Sequence, residues 1–139
     1  MPDQRKRVAL VIGGGSGMGL ASARALAAAG HIVIIGDRDA EAAQRAADAV
    51  GAAGGEAIPY EIDGSSVAQL KALFLFIEKK YARLNLLFSN IGIRGPLGLD
   101  MTEAQFDEVI DINVKSHFFA THSAVPLLKL CAPHASIIY

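Results

Sequence analysis

The sequence predicts an α/β fold whose parallel sheet is doubly wound and has about five strands. Short apolar runs rich in β-branched residues alternate with helix-like segments at intervals of about 25 residues along the 139-residue chain. Glycines end the first of these runs, and acidic residues follow the next two. Hydrophobic residues make up 52% of the chain and charged residues 19%. This balance is typical of one globular domain, here over residues 1–139.

The first strand and helix are predicted from an apolar run followed by glycines. Val8–Ile12 is apolar throughout, as expected for a strand buried on both faces. The helix that follows covers Gly17–Ala29, which is rich in alanine and leucine. Ser16 can cap its start and Gly30 can end it.

The second and third strands are separated by an alanine-rich helix. Ile32–Ile35 is the second buried strand. Asp39 can cap the next helix, which runs to about Val50 before several glycines interrupt it. Ala57–Ile62 is the third strand, and Pro59 within it predicts an edge position, because proline cannot donate to a sheet ladder.

The second half of the chain continues the alternation. Apolar residues at helical spacing follow Ser65 or Ser66, namely Val67, Leu70, Leu73, Phe74, Ile77 and Tyr81. Leu84–Ser89 is the fourth strand, followed by a glycine-containing loop. Thr102 and Gln105 form a capping-box pattern that opens a long helix, which Pro126 should bend or end. The fifth strand is predicted at Ser136–Tyr139, with the domain truncated after it.

Charge and hydropathy exclude several classes of protein. The chain has 13 basic and 14 acidic residues and a net charge of −1, so no overall field favours nucleic acid or an anionic membrane. Its longest dense apolar stretch, Ala72–Ile77, is far shorter than the ~18 residues of a membrane span. The basic run Arg5, Lys6 and Arg7 is interpreted as a solvated leader to the first strand. A cytoplasmic protein is expected.

The loop between the first strand and the first helix is the leading candidate for a binding site. Its predicted phosphate-binding residues are Gly13, Ser16, Gly17, Met18 and Gly19. Glycines let a pyrophosphate approach the backbone, and the free N–H groups of a helix N-terminus stabilise its charge. No lysine follows the glycines, which argues against an NTPase P-loop. The alternative is a merely flexible turn.

An acidic residue at the end of the second strand indicates the cofactor. Asp37 lies about 18 residues beyond Gly19, where a carboxylate can accept hydrogen bonds from the adenosine ribose diol. A 2′-phosphate would be repelled there, which favours NAD over NADP, although Arg38 can partly reverse this preference. The alternative for Asp37 is an ordinary turn or cap carboxylate.

Two further strand ends carry candidate cofactor residues. Asp63, followed by Gly64, can accept a hydrogen bond from an adenine amino group, or it can serve as an Asx-turn residue. Asn90, Ile91 and Gly92 follow the fourth strand. Asn90 can brace the backbone around the cofactor and Gly92 permits close approach; a plain turn is the alternative.

With these motifs in place, the chain resembles the N-terminal part of a classical short-chain dehydrogenase/reductase, a family with a Rossmann-type fold. The family motif Thr-Gly-x-x-x-Gly-x-Gly is matched by Gly13, Gly17 and Gly19, with Ile12 in the threonine place. The motif Asn-Asn-Ala-Gly is seen as Ser89-Asn90-Ile91-Gly92, which keeps two of four letters. These departures weaken the hydrogen bonds that join the strand ends.

The resemblance implies roles for individual residues. The family's acidic residue after the second strand falls on Asp37, its adenine-contacting aspartate on Asp63, and its helix asparagine, which holds a water in the proton relay, on Asn113. Asn113 is therefore the one catalytic-type residue to be placed. As an isolated helix asparagine, its alternative is a backbone or solvent hydrogen bond.

The resemblance also implies an activity. Family members are NAD(P)-dependent oxidoreductases that transfer hydride between nicotinamide and an alcohol or carbonyl substrate. They use a serine just past the fifth strand and a Tyr-x-x-x-Lys pair on the next helix, and the 139 residues contain neither. Tyr139 lies on the predicted strand itself and is not that tyrosine. The chain alone is therefore predicted to bind cofactor, NAD rather than NADP, and to be inactive.

Other functions remain as alternatives. The chain can be a non-catalytic dinucleotide-binding or interaction module, or an S-adenosylmethionine-binding domain, since methyltransferases also place a glycine loop and an acidic residue after their first two strands. No metal site is predicted, because the four histidines lack ligand spacing. A homo-oligomer is expected, because an apolar fifth strand at the sheet edge invites pairing with another chain.

Overall fold

Five parallel strands form one sheet in a computed structural model that describes residues 6–139. The strands are β1 (Val8–Ile12), β2 (Ile32–Asp37), β3 (Glu56–Glu61), β4 (Leu86–Ser89) and β5 (Ser136–Ile138). Their order is β3-β2-β1-β4-β5. The winding therefore reverses between β1 and β4, and a crevice opens beyond the carboxyl ends of the strands at this point. The predicted α/β fold is confirmed.

Helices cover both faces of this sheet. They are α1 (Gly17–Ala28), α2 (Ala40–Ala52), α3 (Val67–Tyr81), α4 (Glu103–Ile110) and α5 (Ser116–Lys129). Side chains of β1 point alternately to two cores, so Leu10 packs with residues of α3 and α5 while Val11 packs with residues of α1 and α2. The second core is lined largely by alanines, which lets α1 and α2 lie close to the sheet.

The caps largely follow the sequence. The Asp39 side chain accepts a hydrogen bond from the Ala42 amide at 3.0 Å, and the Thr102 and Gln105 side chains form the full capping box. Ser66 caps α3. Ser16 occupies the N-cap position of α1, but its side chain makes no capping hydrogen bond, contrary to the expectation.

Prolines and helix ends show where tertiary packing overrides local preference. Pro59 lies on β3, at an edge of the sheet as predicted. Pro126 lies inside α5, which continues to Lys129, so the prediction that the helix could end there is wrong. Leu127 and Leu128 are buried in the core directly after this proline, and their packing holds the chain helical despite the missing N–H.

The long second-half helix is also interrupted. Residues Asp111–Lys115 form a π-helical segment between α4 and α5, which the sequence does not predict. The fourth strand begins at Leu86 rather than Leu84, a difference of the size usual for element boundaries. Of the basic leader, Lys6 pairs with Glu56 at 3.0 Å, while Arg5 lies outside the described residues.

A sheet edge and a helical stripe are two of the exposed apolar surfaces among the described residues. The strand β5 is an edge of the sheet, and its Ile138 is 45% exposed. A second exposed stripe recurs every four residues along α4, the π-helical segment and α5, and consists of Phe106, Ile110, Val114 and Phe118. Within residues 6–139, no helix combines the length and the hydrophobicity needed to cross a bilayer.

The 139-residue chain is therefore expected to dimerise or aggregate. An edge strand carries unpaired N–H and C=O groups, and contiguous apolar surface promotes association. Light scattering over a range of protein concentrations measures the mass directly. A monodisperse monomer at all concentrations would contradict the expectation.

Tyr81, the last residue of α3, carries a buried hydroxyl with no hydrogen-bond partner among the described residues. Burial is the main reason that the pKa of Tyr81 rises from 10.0 to about 12; the negative charge of Glu56 adds to the rise and Arg83 opposes it. The folded state thus favours the neutral phenol. The resulting stability is fully present below about pH 10 and is lost as the pH rises through about 12.

Tyr81→Phe is expected to stabilise the fold by about 1 kcal/mol at neutral pH, because it removes an unsatisfied buried polar group and keeps the ring. Its stability should also fall less than that of the parent chain between pH 10 and 12. Urea unfolding followed by circular dichroism tests both effects. Tyr60→Phe is the matched control, and a Tyr81→Phe variant less stable than the parent at pH 7 would refute the prediction.

Candidate functional site

A cavity of about 350 Å³ lies beyond the carboxyl ends of the central strands. Most of the predicted cofactor residues line it: Gly13, Ser16, Gly17, Met18, Asp37, Arg38, Asp63, Gly64, Asn90, Ile91 and Gly92. Its apolar walls come mainly from isoleucines outside the predicted cofactor-binding set, namely Ile12, Ile62, Ile93 and Ile112. The topology thus gathers residues from four separate strand ends into one site.

The glycine loop is packed too closely for side chains. Gly13 has a φ of +80°, and a Cβ there would lie 2.3 Å from the Asn90 carbonyl oxygen. Gly19 does not line the cavity; a Cβ on it would lie 2.0 Å from the Gly13 carbonyl oxygen. Gly19 therefore allows helix α1 to pack against the loop rather than allowing a ligand to approach.

Gly17, in contrast to Gly13 and Gly19, faces open space. Its φ is +54°, and no atom lies within 4 Å of the place that a Cβ would occupy. Helix α1 begins at this residue, and its first internal hydrogen bond runs from the Leu20 amide to the Ser16 carbonyl at 3.1 Å. Because Ser16 does not cap them, the amides of the first turn have no partner in the helix itself. An anion in the cavity can therefore bind there.

The carboxylate of Asp37 also holds the loop in place. Its Oδ2 accepts a hydrogen bond from the Gly15 amide at 2.9 Å, and its Oδ1 accepts one from the Asp39 amide at 3.0 Å. Each oxygen retains a second lone pair that can accept from a ligand hydroxyl. Asp37 thus both shapes the glycine loop and presents acceptors to the cavity beside Arg38.

Asp63 forms the Asx-type turn that the sequence left as an alternative. Its Oδ1 accepts from the Ser65 amide at 2.9 Å and from the Ser65 hydroxyl at 2.7 Å. The residue also lines the cavity, so the two interpretations are compatible. A Cβ on Gly64 would lie 2.1 Å from Ile91 Cδ1, so the end of the Ile91 side chain would have to move to accommodate it.

Two asparagines secure the segment after β4. Asn90 Nδ2 donates to the Gly13 carbonyl at 3.2 Å and so joins this segment to the glycine loop. Asn113 lies in the π-helical segment; its Oδ1 accepts from the Ile93 amide at 2.8 Å and its Nδ2 donates to the Ile93 carbonyl at 2.7 Å. Asn113 is not among the residues that line the cavity, and its two bonds to Ile93 are backbone hydrogen bonds of the kind named as its alternative.

One contact beside the site was missed at the sequence level. His117 Nδ1 lies 2.7 Å from Ser89 Oγ, across 28 residues of sequence, and no local pattern relates the two side chains. Within the described part of the chain, no three His, Cys, Asp or Glu side chains gather closely enough to hold a metal ion.

A family model described as short chain dehydrogenase matches residues 7–139. Cyclohexanol dehydrogenase of Acinetobacter sp. strain SE19 is 33% identical over 124 residues, covering 88% of this chain and 49% of that protein. The structure of a 3-ketoacyl-ACP reductase from Sinorhizobium meliloti 1021 matches with a TM-score of 0.88 and 35% identity, covering 94% of this chain and 51% of that one.

A third similar protein was solved with ligands. The structure of 7α-hydroxysteroid dehydrogenase complexed with NADH and 7-oxo glycochenodeoxycholic acid matches with a TM-score of 0.85 and 31% identity, covering 90% of this chain and 49% of that one. The chain thus spans about half the length of the relatives that it matches. The resemblance stated from the motifs is confirmed.

Proposed function

The chain belongs to the short-chain dehydrogenase family, and on that basis we propose that residues 1–139 form the dinucleotide-binding domain of an NAD(P)-dependent oxidoreductase. The reaction is hydride transfer between the nicotinamide and an alcohol or carbonyl substrate. Cyclohexanol dehydrogenase and 3-ketoacyl-ACP reductase, two similar proteins, carry names of this chemical type.

The main observation in support of this function is the cavity between β1 and β4, where the winding of the sheet reverses. It is lined by the start of α1, whose first backbone amides have no capping side chain, and by the carboxylate of Asp37. The first turn of α1 would hold the pyrophosphate, because the open space in front of Gly17 leaves its backbone accessible. Asp37 would accept from the adenosine ribose, and Asp63 would contact the adenine at the next strand end. Asn90, Ile91 and Gly92 would form the wall on the β4 side.

Proton transfer at the substrate oxygen needs an acid or base of suitable pKa within hydrogen-bond reach. The described residues that line the cavity include no tyrosine, histidine or lysine, and its two carboxylates, Asp37 and Asp63, are the ones proposed above for the adenosine end of the cofactor. Asn113 would hold the loop at Ile93 through its two bonds to the backbone of that residue. We therefore expect these 139 residues to bind the dinucleotide and to leave the alcohol unreacted.

Titration of the purified chain with NADH tests this function. The protein has no tryptophan, so the fluorescence of the nicotinamide itself, or calorimetry, follows binding. We expect saturable binding with one site per chain and no NADH formation from NAD and a panel of secondary alcohols. Absence of binding would refute the proposed function, and turnover by the 139 residues would refute the assignment of the missing acid and base.

Two experiments separate the alternatives. S-Adenosylmethionine should not displace NADH, and competition between the two would favour a methyl-donor site. Sequencing the encoding DNA beyond codon 139 distinguishes an oxidoreductase from a non-catalytic module. A serine and a Tyr-x-x-x-Lys pair within the next ~30 codons are expected for the oxidoreductase, and their absence would leave the binding module as the better account.

A further inference from the structure

A partly buried polar contact joins helix α5 to the end of strand β4. Ser89 is 1% exposed, and its Oγ lies 2.7 Å from Nδ1 of His117. A buried hydroxyl without a partner is costly, so this bond stabilises the position of both side chains. Ser89 is the last residue of β4, and Asn90 of the proposed cofactor site follows it directly.

The His117 ring is oriented from a second side. The ring of Tyr139 meets it edge-on, with centroids 5.5 Å apart and an interplanar angle of 84°. The Tyr139 hydroxyl is in turn hydrogen-bonded to Thr121 Oγ1, one helical turn beyond His117. The ring is therefore held with Nδ1 directed at Ser89.

This contact has a counterpart one helical turn earlier. Asn113 bonds both the amide and the carbonyl of Ile93, four residues beyond Ser89. Hydrogen bonds from residues 113 and 117 thus hold the segment from Ser89 to Ile93 at both of its ends. Residues 90–92, which lie between these two hydrogen-bonded ends, all line the cavity. The Asn90 side chain also donates a hydrogen bond to the Gly13 carbonyl, which connects this segment to the glycine loop.

We propose that His117 is a positioning residue for the dinucleotide site: its bond to Ser89 fixes the end of β4 and thereby holds residues 90–92 against the glycine loop. This role rests on the proposed function. It does not depend on the charge of the imidazole, because Nδ1 can accept from the serine hydroxyl when unprotonated and donate to it when protonated. The energetic benefit is preorganisation, since a wall already in place need not be ordered when the ligand binds.

Three substitutions of His117 separate the hydrogen bond from the ring. His117→Ala removes both, and we expect the Kd for NADH to rise about tenfold, the effect of losing one hydrogen bond that orders a site. His117→Asn places an amide atom at the same bond distance from the backbone as Nδ1, and its Kd should stay within about twofold of the parent value. His117→Gln carries its amide one bond further out and should behave like the alanine variant.

Thermal unfolding of the same variants tests for a merely structural role. All three lose the ring contact with Tyr139, so all three should melt at a lower temperature than the parent. Binding, in contrast, should be rescued by asparagine alone. If NADH affinity instead follows melting temperature across the three variants, or if His117→Ala binds NADH like the parent, the positioning role is wrong.

Ser89→Ala removes the same hydrogen bond from its other partner and leaves His117 in place. It should raise the Kd for NADH as much as His117→Ala does, and the double variant should show no further loss, as expected for two partners of one bond. Additive losses would overturn the inference.

Amide hydrogen exchange, measured without NADH, tests whether the bond between His117 and Ser89 holds the end of β4 in place. The Asn90 amide, which donates to the Ile12 carbonyl at 2.9 Å, should exchange faster in His117→Ala and Ser89→Ala than in the parent and in His117→Asn. Unchanged exchange at Asn90 would refute the positioning role. If the parent chain fails to bind NADH while exchange changes as expected, only the proposed function is lost and the restraint stands.

Discussion

Gly19→Ala should abolish tight binding of NADH, with a Kd at least about 100-fold above that of the parent chain. The added Cβ would lie 2.0 Å from the Gly13 carbonyl oxygen and 2.9 Å from Asn90 Nδ2. The Gly13 oxygen is a backbone atom, so the loop or helix α1 must move. Overpacking of this kind costs about 1–3 kcal/mol, and the free energy of unfolding should fall accordingly.

Gly51 serves as a matched control, and Gly17, which lines the proposed pyrophosphate site, gives a further comparison. Gly51→Ala lies inside α2 with open space around it, so it should stabilise the chain by about 0.5–1 kcal/mol and leave the Kd for NADH unchanged. Gly17→Ala meets no neighbouring atom but has a φ of +54°, so it should cost roughly 1–2 kcal/mol of backbone strain. NADH titration and urea unfolding of all three variants provide the comparison. A Gly19→Ala variant that binds like the parent would exclude the glycine loop as the pyrophosphate site.

NADH should bind to the chain at least about tenfold more tightly than NADPH, because the Asp37 carboxylate repels a 2′-phosphate. Asp37→Asn should reduce or reverse this ratio. The substitution also weakens the loop, since an amide nitrogen cannot accept the bond that a carboxylate oxygen accepts from Gly15 or Asp39. Both affinities are therefore expected to fall, and the ratio of the two Kd values is the informative measurement.

Asp39→Asn controls for the loss of a nearby negative charge. Asp39 caps α2 and does not line the cavity, so its substitution should lower stability slightly and leave the ratio of NADH to NADPH affinity unchanged. Arg38→Ala should weaken NADPH binding selectively, because Arg38 lines the cavity and supplies a positive charge to a 2′-phosphate. Equal affinity of the parent chain for the two cofactors would remove the ribose-binding role of Asp37.

Most of the candidate site was predictable because each of its parts is a local pattern at a strand end. A buried apolar run followed by glycines indicates a strand, a loop and a helix N-terminus, and parallel topology then brings Asp37, Asp63 and Asn90 to the same edge. Gly19 is the exception within this set. Its spacing matches the motif, but the structure gives it a packing role behind the loop, which spacing cannot distinguish from ligand contact.

The sequence alone was sufficient for the order of strands and helices, the caps at Asp39 and Thr102, the edge position of β3 and the place of the glycine loop. These features depend on neighbours within a few residues, whose side-chain periodicity and backbone preferences act before any distant contact forms.

Tertiary contacts were needed for the rest. Three sets of hydrogen bonds join residues that are distant in sequence. They are the bond between His117 and Ser89, the bonds of Asn113 to Ile93, and the bond that Asp37 accepts from the Gly15 amide. Continuation of α5 through Pro126 has the same origin, since burial of the two following leucines outweighs the lost backbone hydrogen bond. Such contacts depend on distances in space across tens of residues, and no periodicity along the chain encodes them.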